Sequence, residues 1–373
     1  MKRRQFTATA LAALFGACIG LPAAAADIDY GKPGTPVKLV VGYQPYYTQA
    51  WSAVVMRGKK FYEKTLPKGS EVEFQIGLQG AIIVNNMLAG KQHIGYYGDM
   101  PGIVSTTKQE VADIRLVAVL GLAWDQCNAF LVRNDAPKFK SDQEAIKWLD
   151  GKIVAVPKGS CTDRFAQAVF KKSNIQPKEY LNQNIEVITS NFRAGKLDAA
   201  VMWEPTTSRL VEEGLARLVA TGASVKENDG GLLGMRADLI AQRPDVVKAW
   251  LQAELEAQLF IADPKNASEV IKMAKEQTTG FSERVLWTSL YGRHPESAGG
   301  SDTRNMLHYT FTPEARELIT RAAAFLHSIK SINVDKVRPE AIDAKWTEEI
   351  LKERGLKAPI GVVRALPASQ QPK

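Results

Sequence analysis

AGKLDAAVMWEP at residues 194–205 is the stretch that decides the fold, because AGKQHIGYYGDMP at residues 89–101 repeats its outline. Each copy predicts a helix end, a glycine stop, a short apolar strand and then a carboxylate, which is Asp99 in the first copy and Glu204 in the second. Residues just past the carboxyl end of a strand line the ligand crevice of a parallel α/β sheet. The repeat therefore predicts two similar lobes, each with a carboxylate at an equivalent corner.

The segments around both copies alternate between short apolar strands and helical stretches, which indicates βαβ units. The strands are predicted at residues 37–43, 71–76, 94–97, 115–120, 127–133, 153–156 and 185–188. From Pro244 onward the chain is mostly helical. We therefore predict an α/β protein of two lobes, with mostly parallel sheets flanked by helices and two crossovers between the lobes.

The domain boundaries follow from two interruptions of this pattern, near residues 123–128 and 225–231. Lobe 1 is predicted to comprise residues 27–126 and 230–358, and lobe 2, residues 127–229, is inserted into it. Residues 359–373 offer little to bury, so we expect a loose C-terminal tail. A cleft between two lobes is the default place for a small ligand.

The first 26 residues have the pattern of a secretory signal peptide. Lys2, Arg3 and Arg4 precede an apolar stretch at 7–21, and three alanines at 24–26 supply a small-residue cleavage site. The apolar stretch is short for a membrane span. We expect an exported protein and leave open whether the Sec or the twin-arginine route is used.

Composition and charge narrow the classes of partner. The chain has 373 residues with 45% apolar and 24% charged, which is ordinary for a soluble globular protein. Removal of the signal peptide lowers the formal net charge from +8 to +5, and the remaining excess is spread along the chain. Because no basic run is present, nucleic acid is not an expected partner.

Two cysteines, Cys127 and Cys161, remain after cleavage of the signal peptide. In an oxidising compartment such a pair forms a disulfide or stays as two buried thiols, and the sequence leaves both open. The four histidines, at 93, 294, 308 and 327, show no metal-ligand spacing. No metal and no cofactor is therefore predicted.

Three elements resemble the periplasmic substrate-binding proteins of the alkanesulfonate, taurine and nitrate class of ABC importers. They are Lys158-Gly159-Ser160 after a strand, the run from Asp198 to Pro205, and Gly98-Asp99-Met100-Pro101. The resemblance covers about residues 37–260. It implies the type II-like periplasmic binding protein fold, a monomer that closes over a solute, a membrane permease as partner, and no enzymatic activity.

The resemblance also implies a binding role for five places along the chain, to which we add Asn128 at the first crossing. The candidate site residues are Tyr43, Gln44, Tyr46, Gln79, Gly80, Gly98, Asp99, Asn128, Ser160, Cys161, Thr162, Trp203 and Glu204. This sequence departs from the family in its many aromatic residues near these places and in the cysteine of the helix-start turn.

The helix start at Ser160–Thr162 suits a sulfonate, carboxylate or nitrate, because its N–H groups are free and the helix dipole is positive there. Trp203 is suited to cover an apolar part of a solute. Asp99 and Glu204 either recognise an amine, hydroxyl or cation or make structural bonds. If Glu204 contacts an ammonium group, a taurine-like zwitterion is favoured; if it only anchors a loop, a plain anion or an aromatic carboxylate fits better.

The predicted function is capture of a small anionic or zwitterionic solute, sulfonate-like or taurine-like, for an ABC importer in the periplasm. An aromatic carboxylate, nitrate or a pyrimidine are alternative solutes. A receptor-coupled sensor of the same fold is another alternative. The remaining alternative is a secreted enzyme that uses Cys161 as nucleophile at a helix start, where its pKa would fall.

Overall fold

The computed structural model describes residues 28–372, so the predicted signal peptide lies outside the described residues. The described strands are β1 Lys38–Tyr43, β2 Glu71–Ile76, β3 Ile94–Gly98, β4 Ile114–Ala123, β5 Ala129–Arg133, β6 Ile153–Val156, β7 Glu179–Asn182, β8 Ala199–Met202, β9 Ala216–Thr221, β10 Asp229–Arg236, β11 Thr303–Leu307 and β12 Gly361–Arg364. The described α-helices are α1 Trp51–Lys59, α2 Gly80–Leu88, α3 Asp99–Thr106, α4 Asp142–Trp148, α5 Cys161–Ser173, α6 Ile185–Arg193, α7 Thr206–Glu212, α8 Ala237–Gln242, α9 Pro244–Ala262, α10 Ala267–Gln277, α11 Glu283–Tyr291, α12 Pro313–Ser328 and α13 Lys345–Glu353.

Two sheets divide the chain. The first has the strand order β12-β11-β4-β10-β3-β1-β2, and the second has the order β7-β6-β8-β5-β9. The second sheet draws only on residues 129–221, whereas the first takes strands from both sides of that range. The chain therefore passes between the sheets twice, through residues 124–128 and 222–228, which we call the first and second crossing segments. Below, lobe 1 denotes the part of the chain around the first sheet and lobe 2 the part around the second.

Both sheets are mixed, so the prediction of mostly parallel sheets was wrong. Among the named strands of residues 28–372, the parallel pairs are β1 with β2 and β3, and β6 with β7 and β8. β10 is antiparallel to β3 and β4, and β5 is antiparallel to β8 and β9. A parallel pair needs a long crossover connection, usually a helix. β5 and β10, which follow the crossing segments, have no such helix before them and run against the βαβ strands.

Two further predictions are corrected by the structure. Residues 185–188, predicted as a strand, form the first turn of α6; Asn184 caps this helix, and Ile185, Ile188 and Phe192 form its buried face. The predicted loose tail contains β12, which pairs with β11 and buries Val363. β12 is the last strand of the first sheet, where it satisfies the backbone groups of β11 that would otherwise be unpaired.

Each lobe has an apolar core that sets the positions of the helices near the strand ends. In lobe 2, Phe130 and Phe165 pack together between the sheet and α5. In lobe 1, Trp250 of α9 stacks on Tyr62 and donates a hydrogen bond to the Tyr96 hydroxyl. Within residues 28–372, none of the helices has the length and apolar character needed to cross a membrane.

Candidate functional site

A cavity of about 310 Å³ lies between the lobes. It is bounded by the segments that follow β1, β2 and β3 in lobe 1 and β6 and β8 in lobe 2. The side of lobe 1 includes Gln44, Tyr47, Gln79, Gly80, Val84, Asn85, Gly98, Pro101 and Val104, and the side of lobe 2 includes Pro157, Lys158, Gly159, Ser160, Cys161 and Trp203. This interlobe cavity therefore lies at the carboxyl ends of strands, the usual ligand position in open α/β sheets.

Three helices begin at the wall of the interlobe cavity. Gly80 is the first residue of α2, Gly98 is the N-cap of α3, and Cys161 is the first residue of α5. None of these three starts is capped by the side chain of its N-cap residue. The N–H groups of a first helical turn have no partner within the helix, and that end of the helix dipole is positive. The cavity is therefore suited to a negatively charged group.

The start of α5 is open because its polar side chains bond elsewhere. The Ser160 hydroxyl donates to the carbonyl oxygen of Pro157 at 2.6 Å and lies 2.6 Å from the Thr162 hydroxyl. Asp163 accepts from the N–H of Gly159 at 2.8 Å. Ser160 and Asp163 have the spacing of a capping box, but the Ser160 side chain makes no cap bond, which leaves the first turn of α5 to bind an external acceptor.

Gly80 lets the start of α2 pack closely against Pro101 of α3. A Cβ atom added at Gly80 would lie 2.4 Å from Cγ of Pro101, a clash with a stiff ring. At Gly98 the nearest atom to an added Cβ is a ring carbon of Tyr47 at 3.5 Å, which is an ordinary contact. Close packing therefore requires glycine at the start of α2 but not at the N-cap of α3.

The remaining walls are mostly apolar and hold little charge. Trp203, 9% exposed, lines the cavity together with Val84, Val104 and Pro101. Lys158 is the one charged residue among those described as lining the cavity, and its ammonium group lies 4.8 Å from the ring centre of Tyr180. No carboxylate belongs to the described lining, so Lys158 and the helix starts both favour a negatively charged group there.

Asp99 does not line the cavity, although the sequence predicts it there. Its carboxylate is 0% exposed, accepts from Arg164 at 2.9 Å and accepts from the N–H of Met100 at 2.8 Å. Burial raises the pKa of Asp99, and the neighbouring Arg164 guanidinium opposes that rise. Because α3 packs in lobe 1 and α5 packs in lobe 2, this ion pair connects the two lobes beside the cavity.

Glu204 is also buried away from the cavity. It accepts from the N–H of Ser208 at 3.0 Å and from the Ser208 hydroxyl at 2.9 Å, and it lies 3.2 Å from Nε2 of His294. These contacts anchor the first turn of α7. Both carboxylates therefore have protein partners, as the structural role requires, and neither is among the residues that line the cavity.

The other candidate residues divide into two groups. Gln44, Gln79, Gly80, Gly98, Ser160, Cys161 and Trp203 line the cavity, whereas Tyr43, Tyr46, Asn128 and Thr162, like Asp99 and Glu204, do not. Tyr43 bonds to Gln277 and Arg57, Tyr46 borders a neighbouring groove beyond Trp203, and Thr162 is buried. Asn128 is buried and donates to the carbonyl oxygen of Glu227 at 2.7 Å.

Several lining residues were not predicted from the sequence. Val84 and Asn85 lie one turn beyond Gly80 on α2, so helical spacing would have indicated them. Tyr47 lies in the loop after β1 that the resemblance had already marked. Ser331 follows α12, far along the chain, and no local pattern indicates that it reaches the cavity.

Cys127 and Cys161 are joined by a disulfide, with their Cα atoms 6.1 Å apart. This separation is in the range usual for disulfides. The bonded sulfur of Cys161 is not a thiolate, and a thiolate is what the alternative of a cysteine-dependent enzyme requires. The structure therefore contradicts that alternative for the bonded form of the protein.

Comparisons with known proteins agree with this architecture. The model of the NMT1-like family matches residues 32–275. The taurine-binding periplasmic protein of Escherichia coli strain K12 is 26% identical over 249 residues, which cover 64% of this chain and 72% of that protein.

Two solved structures share the fold. The periplasmic aliphatic sulphonate binding protein SsuA of Escherichia coli has a TM-score of 0.66 and 19% identity, over 84% of this chain and 100% of that one. The periplasmic nitrate-binding protein NrtA of Synechocystis PCC 6803 has a TM-score of 0.68 and 16% identity, over 90% of this chain and 91% of that one. The chain therefore belongs to the NMT1-like family and has the two-lobed α/β fold of these periplasmic binding proteins.

Proposed function

We propose that this protein is the periplasmic solute-binding component of an ABC importer and that its solute is a small organic anion with an apolar body. One observation carries the proposal: three helix starts, none of them capped by the side chain of its N-cap residue, line a cavity whose described lining contains no carboxylate. At α3 the Asp99 carboxylate accepts from one first-turn N–H, that of Met100, so the starts of α2 and α5 are the more open ones. Helix starts are ready-made anion sites. Membership of the NMT1-like family and the similarity to the taurine-binding protein support the transport role.

The position of the carboxylates favours a plain anion over a taurine-like zwitterion. An ammonium group taken out of water needs a negative partner or several acceptors. Asp99 is paired with Arg164, and Glu204 is bonded to Ser208 and His294, so neither is free to receive it. A solute with one anionic group and no cationic group therefore fits the cavity better.

The size and lining of the cavity favour an organic solute over nitrate. Its volume of about 310 Å³ lies at the lower end of the range for ligand pockets, roughly 300–1,000 Å³. A nitrate ion would leave most of this space empty, and the Trp203 ring with the nearby valines would gain no apolar contact. An alkanesulfonate, arylsulfonate or aromatic carboxylate would occupy both the helix starts and the apolar wall, whereas a neutral pyrimidine would leave the helix starts without an anion.

A thermal-shift and calorimetric screen of the mature protein tests the proposal. The panel contains ethanesulfonate, benzenesulfonate, benzoate, taurine, nitrate and uracil. A solute present at a hundred times its Kd should add about 2.7 kcal/mol to the free energy of unfolding. The decisive pair is ethanesulfonate and taurine, which differ by the amino group. We expect ethanesulfonate to bind more tightly, and tighter binding of taurine would overturn the assignment of a plain anion.

A pair of tryptophan variants tests the location of the site. Trp203→Ala should weaken binding of the best anion by tenfold or more, because it removes the aromatic wall. Trp148→Ala is the matched control, since Trp148 is a lobe 2 tryptophan outside the cavity that packs on Phe139. Circular dichroism checks that both variants fold. Equal affinity in the Trp203→Ala variant and the wild type would remove the proposed site.

A further inference from the structure

We infer that the Cys127–Cys161 disulfide positions the anion-binding start of α5 and thereby sets the affinity for the solute. This inference rests on the proposed function of the interlobe cavity. Cys161 is the first residue of α5 and lines the cavity, whereas Cys127 lies in the first crossing segment. The bond therefore joins a ligand-facing helix start to the chain that connects the lobes.

Cys127 is itself held by β10, the strand that follows the second crossing segment. Its N–H donates at 2.9 Å to the buried carboxylate of Asp229, the first residue of β10. The preceding residue, Gln126, accepts from the N–H of Glu204 at 2.9 Å. Residues 126 and 127 thus hold both lobe 2 walls of the cavity, the segment at Trp203–Glu204 through a hydrogen bond and the start of α5 through the disulfide.

The other side-chain bonds at the start of α5 stay within lobe 2. The Ser160 hydroxyl reaches only Pro157 and Thr162. The Asp163 carboxylate accepts from Gly159, Gln167 and the hydroxyl of Tyr180 on β7, so none of these bonds reaches a crossing segment. About one turn further along α5, Arg164 donates a hydrogen bond to Asp99 of lobe 1. Within the first turn, the disulfide is therefore the covalent link that fixes the helix start relative to the crossing segments.

This placement has two measurable consequences. Binding groups held in advance cost less conformational entropy when the ligand arrives, so release of the bond should lower affinity. Thermodynamic linkage also requires the converse. If the solute binds the disulfide-bonded form more tightly by some factor, saturating solute lowers the equilibrium constant for reduction of the disulfide by that same factor. A bond that only stabilised the fold, without affecting the cavity, would show neither effect.

The test compares oxidised and reduced protein. A dithiol such as dithiothreitol breaks the S–S bond, transfers two electrons and two protons to give thiols on Cys127 and Cys161, and becomes a cyclic disulfide itself. The mature chain is measured oxidised, reduced, and as the variant Cys127→Ser with Cys161→Ser. We expect the Kd for benzenesulfonate to rise tenfold or more in both unbonded forms, and benzenesulfonate to slow reduction of the oxidised form.

If the oxidised protein binds no anion, that result counts against the proposed function alone. Hydrogen exchange measured without solute then still tests the role of the disulfide. Amides of the second turn of α5, which bond within the helix, should exchange at least tenfold faster in the unbonded forms. α6, in the same lobe and not joined to the disulfide, is the internal control and should be unchanged. Equal exchange at the start of α5, or an equal Kd in bonded and unbonded forms, would overturn the inference.

Discussion

Removal of Arg164 should destabilise the protein more than removal of its partner Asp99. The Arg164 side chain is 4% exposed, and it donates to Asp99 at 2.9 Å, to the Glu227 carboxylate at 3.1 Å and to the Asn228 carbonyl oxygen at 2.9 Å. In Arg164→Met the buried Asp99 carboxylate keeps only the N–H of Met100. In Asp99→Asn the arginine keeps its two other partners, and the new amide oxygen still accepts from it.

The magnitude follows from the burial of the pair. Loss of one partner of a buried ion pair costs about 3–5 kcal/mol, so we expect that loss of unfolding free energy in Arg164→Met. Asp99→Asn should cost about 1–3 kcal/mol, the range for a weakened buried hydrogen bond. The double variant should lose less than the sum of the single variants, because the two residues share one contact.

The loss of unfolding free energy in Arg164→Met should also depend on pH. Burial already raises the pKa of Asp99 against the effect of Arg164, and removal of the arginine raises it further. A carboxyl whose folded pKa lies above its unfolded value binds more protons when folded, so the free energy of unfolding falls as pH rises. The loss in Arg164→Met should therefore be larger at pH 8 than at pH 5.

The assay is urea denaturation of the mature protein without solute, followed by tryptophan fluorescence and circular dichroism at both pH values. Lys172→Met is the matched control on the same helix, because its ion pair with Glu227 is half exposed and should be worth at most about 1 kcal/mol. The reasoning is refuted if Arg164→Met costs no more than Lys172→Met, or if its cost is the same at pH 5 and pH 8.

Two further predictions concern a buried acid and a close contact. Burial raises the pKa of Glu254 to about 7, so the free energy of unfolding should fall by about 3 kcal/mol as pH rises from 4.5 to above 7. Thermal melts across that range should show a weaker pH dependence in Glu254→Gln, and an unchanged dependence would contradict the assignment. Gly80→Ala should lower stability by about 1–3 kcal/mol, because its Cβ meets Pro101. Gly98→Ala, whose Cβ meets only the Tyr47 ring at an ordinary distance, is the control in differential scanning fluorimetry, and equal losses in both variants would refute the steric argument.

The chain segments that reach the cavity were largely predictable from the sequence. Gly80, Gly98 and Cys161 each follow a predicted strand, Trp203 is the last residue of one, and all four line the cavity. Their positions depend on where a strand ends and a helix begins, which local patterns of apolar residues and glycine indicate. Strand direction was less predictable, because the antiparallel pairing of β10 and β5 depends on how the chain passes between the lobes.

The roles of the carboxylates were not predictable for a different reason. Asp99 stands where a ligand-binding acid would stand, but its partner Arg164 is 65 residues away on the other lobe. Glu204 is in the same situation, since His294 approaches it from the segment after α11. Whether a side chain faces the cavity or bonds to another residue depends on groups that are distant in the sequence. The local spacing of residues does not indicate where those groups lie.

The sequence by itself therefore determined the α/β class, the repeated lobe and the segments that meet at the cavity, because these depend on short-range periodicity and on the stops between elements. Only the tertiary structure decided which groups are offered to the solute. It paired the acids with buried cations and hydroxyls, joined Cys161 to the crossing segment, and left backbone N–H groups at the cavity wall. The physical reason is that a buried charge must be paired or hydrogen-bonded, and here the partners come from distant parts of the chain.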